Sequence, residues 1–173
     1  IGVLEYAPVY FSDNQSPNRA CLNLLKLARN AIKENGTLIL AIENKIGLKY
    51  WSGCPEDHTG ILYEGLHGYP NQVEPVTFSK KEIVALLEAA GFSNCVVLGC
   101  FPDYKFASTI INNIDDGNNY YLHNWIGIPF TAYNVTRKYS FHEGLALRTL
   151  SEAGLLGECA NSFLILASSG NSA

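Results

Sequence analysis

The sequence predicts an α/β fold, a sheet with helices on both faces, and three observations predict it. Short apolar runs bounded by turn residues recur at 1–7, 37–43, 95–101 and 161–168. Segments with helical spacing of apolar residues separate them. The run 37-TLILAIE-43 is apolar until its last residue, the pattern of a strand covered on both faces in a parallel sheet.

Taken in order, 1-IGVLEYA-7 reads as a buried strand ending on Glu5-Tyr6, and 8–19 as a turn-rich loop. Ser16-Pro17 is a cap and first-turn pair, since the proline N–H that is missing would be unpaired there anyway. Cys21, Leu24, Leu25, Ala28 and Ile32 then recur at helical spacing, and Asn35-Gly36 closes that helix. After the strand 37–43, residues 44–78 show no periodicity but carry enough apolar residues to fold as a lid. Ser79 and Glu82 form a capping box, with Phe78 and Ile83 as its hydrophobic staple, and Gly91 stops that helix. The strand 95-CVVLGCF-101 leads to the polar exit 102-PDYK-105. A second irregular segment covers about 106–139, with a turn at Asp115-Asp116-Gly117-Asn118. Ser140 and Glu143 read as a second capping box for a helix ending near Gly154, and 161-NSFLILAS-168 is the closing strand.

Composition narrows the partners. The chain has 173 residues, 47% of them hydrophobic and 16% charged, which suits one globular core and not a disordered chain. The net charge of −4 and the scattered basic residues argue against nucleic acid. No apolar run approaches the roughly 18 residues of a transmembrane helix. The five cysteines, Cys21, Cys54, Cys95, Cys100 and Cys159, form no Cys-x-x-Cys pair, so free thiols in the cytoplasm are expected. His67, His123 and His142 lack ligand-like spacing, and no metal site is expected. The chain contains no methionine and opens directly on a strand-like run, which predicts a piece of a longer protein.

In open α/β sheets, ligands gather at the carboxyl ends of parallel strands. Three expected strand ends carry polar groups: Glu5-Tyr6, Glu43-Asn44-Lys45, and Asp103-Tyr104-Lys105. The lid leaves from the second of these, where it can cover a ligand and exclude water.

The segments 1-IGVLEYA-7, 43-ENKIGLKYWSGCPEDHTG-60, 68-GYP-70, 77-TFSKKEI-83, 90-AGF-92, 101-FPDYK-105 and 160-ANSFLILAS-168 carry a resemblance. Together they resemble class I S-adenosylmethionine-dependent methyltransferases of the kind found with bacterial lipopolysaccharide and surface-polysaccharide biosynthesis genes. The resemblance implies the C-terminal part of a Rossmann-like methyltransferase sheet, with three parallel strands and an antiparallel last strand inserted between the second and third. It implies one domain portion over residues 1–173, with insertions at about 44–78 and 106–139. The half that supplies the glycine-rich cofactor loop is absent, and no Gly-x-Gly occurs.

The resemblance implies S-adenosylmethionine as cofactor and a sugar or polysaccharide-precursor substrate, with other domains of a longer chain as possible neighbours. Glu5 and Tyr6 fall on the cofactor side, where the Glu5 carboxylate would hold the methionine ammonium group. Glu43, Asn44, Lys45, Tyr50, Trp51, Tyr63, Asp103 and Tyr104 face the acceptor. Glu56, Asp57 and His58 form the catalytic candidates, because methyl transfer needs positioning and a hydroxyl acceptor gains from a nearby base. The plainer readings are a solvated acid for Glu5, a backbone cap at 43–45, a self-bonded lid at 56–58, and a small aromatic core at 50, 51 and 63. Rival functions are a nucleotide-sugar transferase or oxidoreductase on a similar sheet, and a non-catalytic methyltransferase-like module.

Overall fold

The computed structural model describes residues 2–11, 16–70, 75–112, 122–126, 130–131 and 136–169. The expected turn at 115–118 lies outside the described residues. The fold is mixed α/β: a four-stranded sheet with helices packed on it.

The first expected strand is a correction. Leu4–Tyr6 forms a 3-10 turn that runs into the short helix α1, Ala7–Tyr10, with Pro8 in its first turn. A strand needs a neighbour for its backbone groups, whereas a helical turn satisfies them locally, and Pro8 suits a first turn because it has no N–H to lose. Leu4 and Ala7 are buried against helix α2, Pro17–Ala31, and Cys21 Sγ lies 3.4 Å from the Leu4 carbonyl. Ser16 precedes α2 in an extended conformation, and its carbonyl accepts from the Arg19 and Ala20 amides. The helix stops at Ile32, and Gly36 closes a separate turn on Lys33.

Strand β1, Thr37–Glu43, is followed by the lid, whose regular part is the short helix α3, Leu48–Trp51. The chain returns to the sheet through a parallel bridge between Asn44 and Phe78. Helix α4, Lys80–Ala89, begins with both hydrogen bonds of its capping box in place. Phe78 and Ile83 are both buried, and Gly91 leaves the helix at φ +97. Strand β2, Asn94–Phe101, pairs at its end with strand β3, Thr109–Ile111, so the second irregular segment contains a strand that its sequence did not announce. Helix α5, Glu143–Glu152, is capped by His142, whose ring nitrogen accepts from the Leu145 amide at 3.3 Å. The expected Ser140–Glu143 box does not form. Glu143 turns instead to Ser52 and Arg137, and the Ser140 amide bonds the Ser52 carbonyl. Strand β4, Ser162–Ser168, closes the fold.

The sheet order is β1-β4-β2-β3, and every bonded pair of strands is antiparallel. The expected parallel sheet is thus corrected. β1 and β2 point the same way, since each is antiparallel to β4, but β4 lies between them, where the last strand was expected, and the two share no ladder. Coverage on both faces is corrected too. Leu38, Leu40 and Ile42 are buried opposite Ala167, Ile165 and Phe163, while Ile39 on the other face is 56% exposed. A continuous apolar run does not by itself show how many faces are covered.

Candidate functional site

Because β1 and β2 run in one direction, their carboxyl ends meet the start of β4 at one end of the sheet. Ser162 lies opposite both Glu43 and Cys100. Two asparagines fix the backbone there. Asn44 donates to the Glu158 and Ala160 carbonyls at 2.8 and 2.7 Å, so the plainer capping role suits it. Asn161 donates to the Pro102 carbonyl, accepts from the Lys49 amide, and thereby seats α3 on the sheet end. Ser162 Oγ accepts from the Tyr104 amide at 2.7 Å, and Asp103 accepts from the Lys105 amide at 3.0 Å.

On this floor the structure gathers Glu5, Glu43, Glu56, Asp57, His58 and Asp103, and all but Asp57 are at most 8% exposed in side chain or residue. The Lys49 ammonium is wholly buried between Asp57 (2.7 Å) and Asp103 (3.1 Å), and the Tyr50 hydroxyl also donates to Asp57. Lys105 reaches Glu43 Oε1 and stands 4.0 Å from Asp103. His58 Nδ1 lies 3.1 Å from Glu56 Oε1, and its Nε2 lies 3.7 Å from Glu5 and 4.0 Å from Glu43. Glu56 is held further by the amides of His58 and Thr59 at 2.9 and 2.7 Å. The Tyr6 ring meets the His58 imidazole edge-on at 5.3 Å.

These neighbours set the proton affinities. Burial lowers the His58 imidazole, but the carboxylates of Glu5, Glu56 and Glu43 outweigh it and raise it to about 10. Burial raises Glu43, and Lys105 only partly offsets this. Burial also acts against the ionised forms of Asp57 and Lys49, yet each is held charged by the other: Asp57 is lowered and Lys49 raised. Glu56 is lowered because its hydrogen bonds to His58 and Thr59 exceed its desolvation.

Comparison with known proteins gives no match: no family model, no curated protein and no solved structure. Function therefore rests on the geometry.

Of the residues expected from sequence, Glu5, Tyr6, Glu43, Tyr50, Glu56, Asp57, His58 and Asp103 meet in this cluster, and Tyr104 borders it beneath the Lys105 ammonium at 4.7 Å. Three do not join. Lys45 pairs outward with Glu82 at 2.6 Å. Trp51 is 53% exposed and donates to the Ile46 carbonyl, and Tyr63 sits at φ +63 beside His67. The aromatic wall is thus reduced to Tyr50. Lys105 was named at a strand end but given no role, and sequence reasoning missed Lys49, Asn161 and Tyr69, whose hydroxyl contacts Thr77 (2.6 Å) and Glu56 (3.4 Å). The available signal was Lys49 itself, a lysine flanked by Leu48 and Tyr50, where burial of the neighbours requires a counterion for the ammonium.

Proposed function

We propose that this chain is the C-terminal portion of an S-adenosylmethionine-dependent methyltransferase-like domain that modifies a sugar hydroxyl, or another group, of a polysaccharide or lipopolysaccharide precursor. One observation supports the reading. Glu5, Glu43 and Asp103, far apart in sequence, converge on one cluster, and the lid brings Asp57 and His58 onto it.

Within this reading the cofactor supplies an electrophilic methyl group, and the chain's residues position the acceptor. Tyr6, 36% exposed, stands on the outer side of His58 and is the group available to the cofactor. Glu5 faces inward and contributes charge to the site instead of direct contact. Asp57, kept ionised by Lys49 and 19% exposed in its side chain, accepts the proton of the acceptor hydroxyl. His58, fixed by Glu56, sets the lid over the reacting groups. Positioning of this kind supplies much of the rate of an in-line displacement.

The test uses the longer protein that this reading implies. Titration with S-adenosylmethionine should show saturable binding, and radiolabelled methyl should pass to a glycan acceptor. Asp57→Asn and His58→Gln should each lower turnover by about 100-fold or more while the thermal transition persists. Full turnover in both variants removes the lid from the chemistry. Binding of a nicotinamide dinucleotide or a nucleotide sugar in place of S-adenosylmethionine overturns the reading itself.

A further inference from the structure

The buried cluster can be sorted by which negative charges already have partners. Asp57 and Asp103 share the Lys49 ammonium. Glu56 is held by two lid amides and His58. Glu43 Oε1 has Lys105. Two carboxylate oxygens remain, Glu5 Oε2 and Glu43 Oε2, each fully buried with no hydrogen-bond partner among the described residues. Glu5 and Glu43 are 2% and 0% exposed. The His58 imidazole, 3.7 and 4.0 Å from these two carboxylates, is too distant to hydrogen-bond them, and a polar oxygen left unpaired at that depth is costly; a metal ion that displaced the Nε2 proton would meet them.

We propose that Glu5, Glu43 and His58 form a binding site for one divalent cation of the first transition row, such as Mn²⁺ or Zn²⁺. One ligand atom from each residue can be chosen so that all three lie within 4.8 Å of one another. Atoms bound to one such metal at about 2.1 Å stand roughly 3.0–3.4 Å apart when adjacent and about 4.2 Å when opposite. His58 Nε2 stands 3.7 Å from Glu5 Oε1 and 4.0 Å from Glu43 Oε2, so the site would contract by about 0.3–1.0 Å to seat adjacent ligands. The support of the imidazole matches as well. A histidine that ligates through Nε2 commonly donates its Nδ1–H to a carboxylate, and Glu56 Oε1 stands 3.1 Å from Nδ1.

Two rival occupants fit less well. A substrate ammonium group would bring the rest of its molecule, and three side chains no more than 8% exposed leave an entry only for a bare ion. The neighbouring trio Glu43, Asp57 and Asp103 also has converging oxygens, but the Lys49 ammonium already fills that corner. An imidazole with two carboxylates selects a transition-row ion over Ca²⁺, which takes six to eight oxygens. The spacing of 5, 43 and 58 hides the site in the sequence. Its consequence is mechanical: the ion would fasten the lid, through His58, to the end of β1 and to the N-terminal turn.

The test needs neither cofactor nor acceptor, so its failure and that of the methyl-transfer reading are separable. The 173-residue chain, stripped with EDTA, is titrated calorimetrically with Mn²⁺, Co²⁺ and Zn²⁺, with Mg²⁺ and Ca²⁺ for comparison. One saturable site is expected, with a rise of several degrees in the thermal midpoint. Spin-echo spectra of bound Mn²⁺ should show a single imidazole nitrogen. Glu43→Gln and His58→Gln should weaken binding by at least about 100-fold, and Glu56→Gln by about 10- to 100-fold. Glu158→Gln, on the surface beside Lys80, should not change it. No saturable binding, or equal affinity in the cluster variants, overturns the proposal. Should a variant fail to fold in EDTA, the imidazole signal of the unsubstituted chain decides: its absence overturns the site.

Discussion

Lys49 shows how far a single side chain can be reversed by its surroundings. A lysine in a loop segment ordinarily reaches water, but here it is fully buried, with its ammonium between Asp57 and Asp103 and 4.1 Å above the Phe130 ring. Breaking a buried ion pair from one side strands the remaining charges, at about 3–5 kcal/mol. Lys49→Met should therefore lower the unfolding free energy by about that amount in a denaturant titration. A change below about 1 kcal/mol would mean that the two aspartates relax to solvent. At this scale the acids were legible and their partners were not. Glu5, Glu43 and Asp103 stand where expected strands end, and strand ends are where α/β folds collect polar groups. Glu5 was found for an incomplete reason, since its strand is a helical turn whose carboxylate nevertheless faces the same floor. Nothing in the local pattern shows that α3 turns Leu48, Lys49 and Tyr50 inward together, because that depends on Asn161, over a hundred residues away.

Helix α4 begins as its sequence prescribes, and this makes it a clean place to test pH dependence. The Glu82 carboxyl is pushed up by burial. Hydrogen bonds from Lys45 and from the backbone and side chain of Ser79 outweigh that and hold it below its usual range. The sign follows directly. A carboxyl lowered in the folded state contributes stability above its unfolded value near 4.5, and that contribution fades as pH falls through the folded value. Glu82→Gln should remove this part of the acid sensitivity while keeping the bond to the Ser79 amide, as read by amide exchange at the start of α4 between pH 6 and pH 3. An unchanged acid profile in the variant would assign the sensitivity elsewhere. The start of α5 contrasts with it. Ser140 and Glu143 have the same spacing as a capping box, but Arg137 sits beside Glu143 and donates to the Lys49 carbonyl at 3.0 Å. An ion pair with Arg137, joined by the distant Ser52 hydroxyl, thus took the side chain that the local pattern assigned to the cap. Gly53 belongs to this joint. It adopts φ +96, and a Cβ there would lie 2.4 Å from the Lys138 carbonyl oxygen, so the lid and the 136–140 segment meet backbone to backbone.

At the scale of the molecule, three of the four strands and the three longer helices among the described residues were legible, because periodicity and turn residues mark them. Pairing was not. Strand order is set by which edges meet, and a sequence pattern carries only the faces. That is why an apolar run at 37–43 suggested a doubly covered parallel strand, while the structure gives an antiparallel one with an open face. On that face Ile39, Leu166 and Val96 lie side by side across three strands, with Ile39 and Val96 exposed by 56% and 43%. An open apolar sheet face favours association. Size-exclusion chromatography with light scattering should show a mass that rises with concentration, and Ile39→Thr with Val96→Thr should suppress the rise while the fold persists. A concentration-independent monomer would contradict this.

The position of β4 has a further consequence. It is the last strand among the described residues and lies between β1 and β2, so its register partners Thr37 and Asn94 both answer to Ser168. During synthesis β1 and β2 leave the ribosome before the strand that joins them, and the pairing of one to the other waits for β4 to slide between them. Trimming the C-terminus through β4 would therefore not shorten the protein at one side; it would take out the seam that joins its halves.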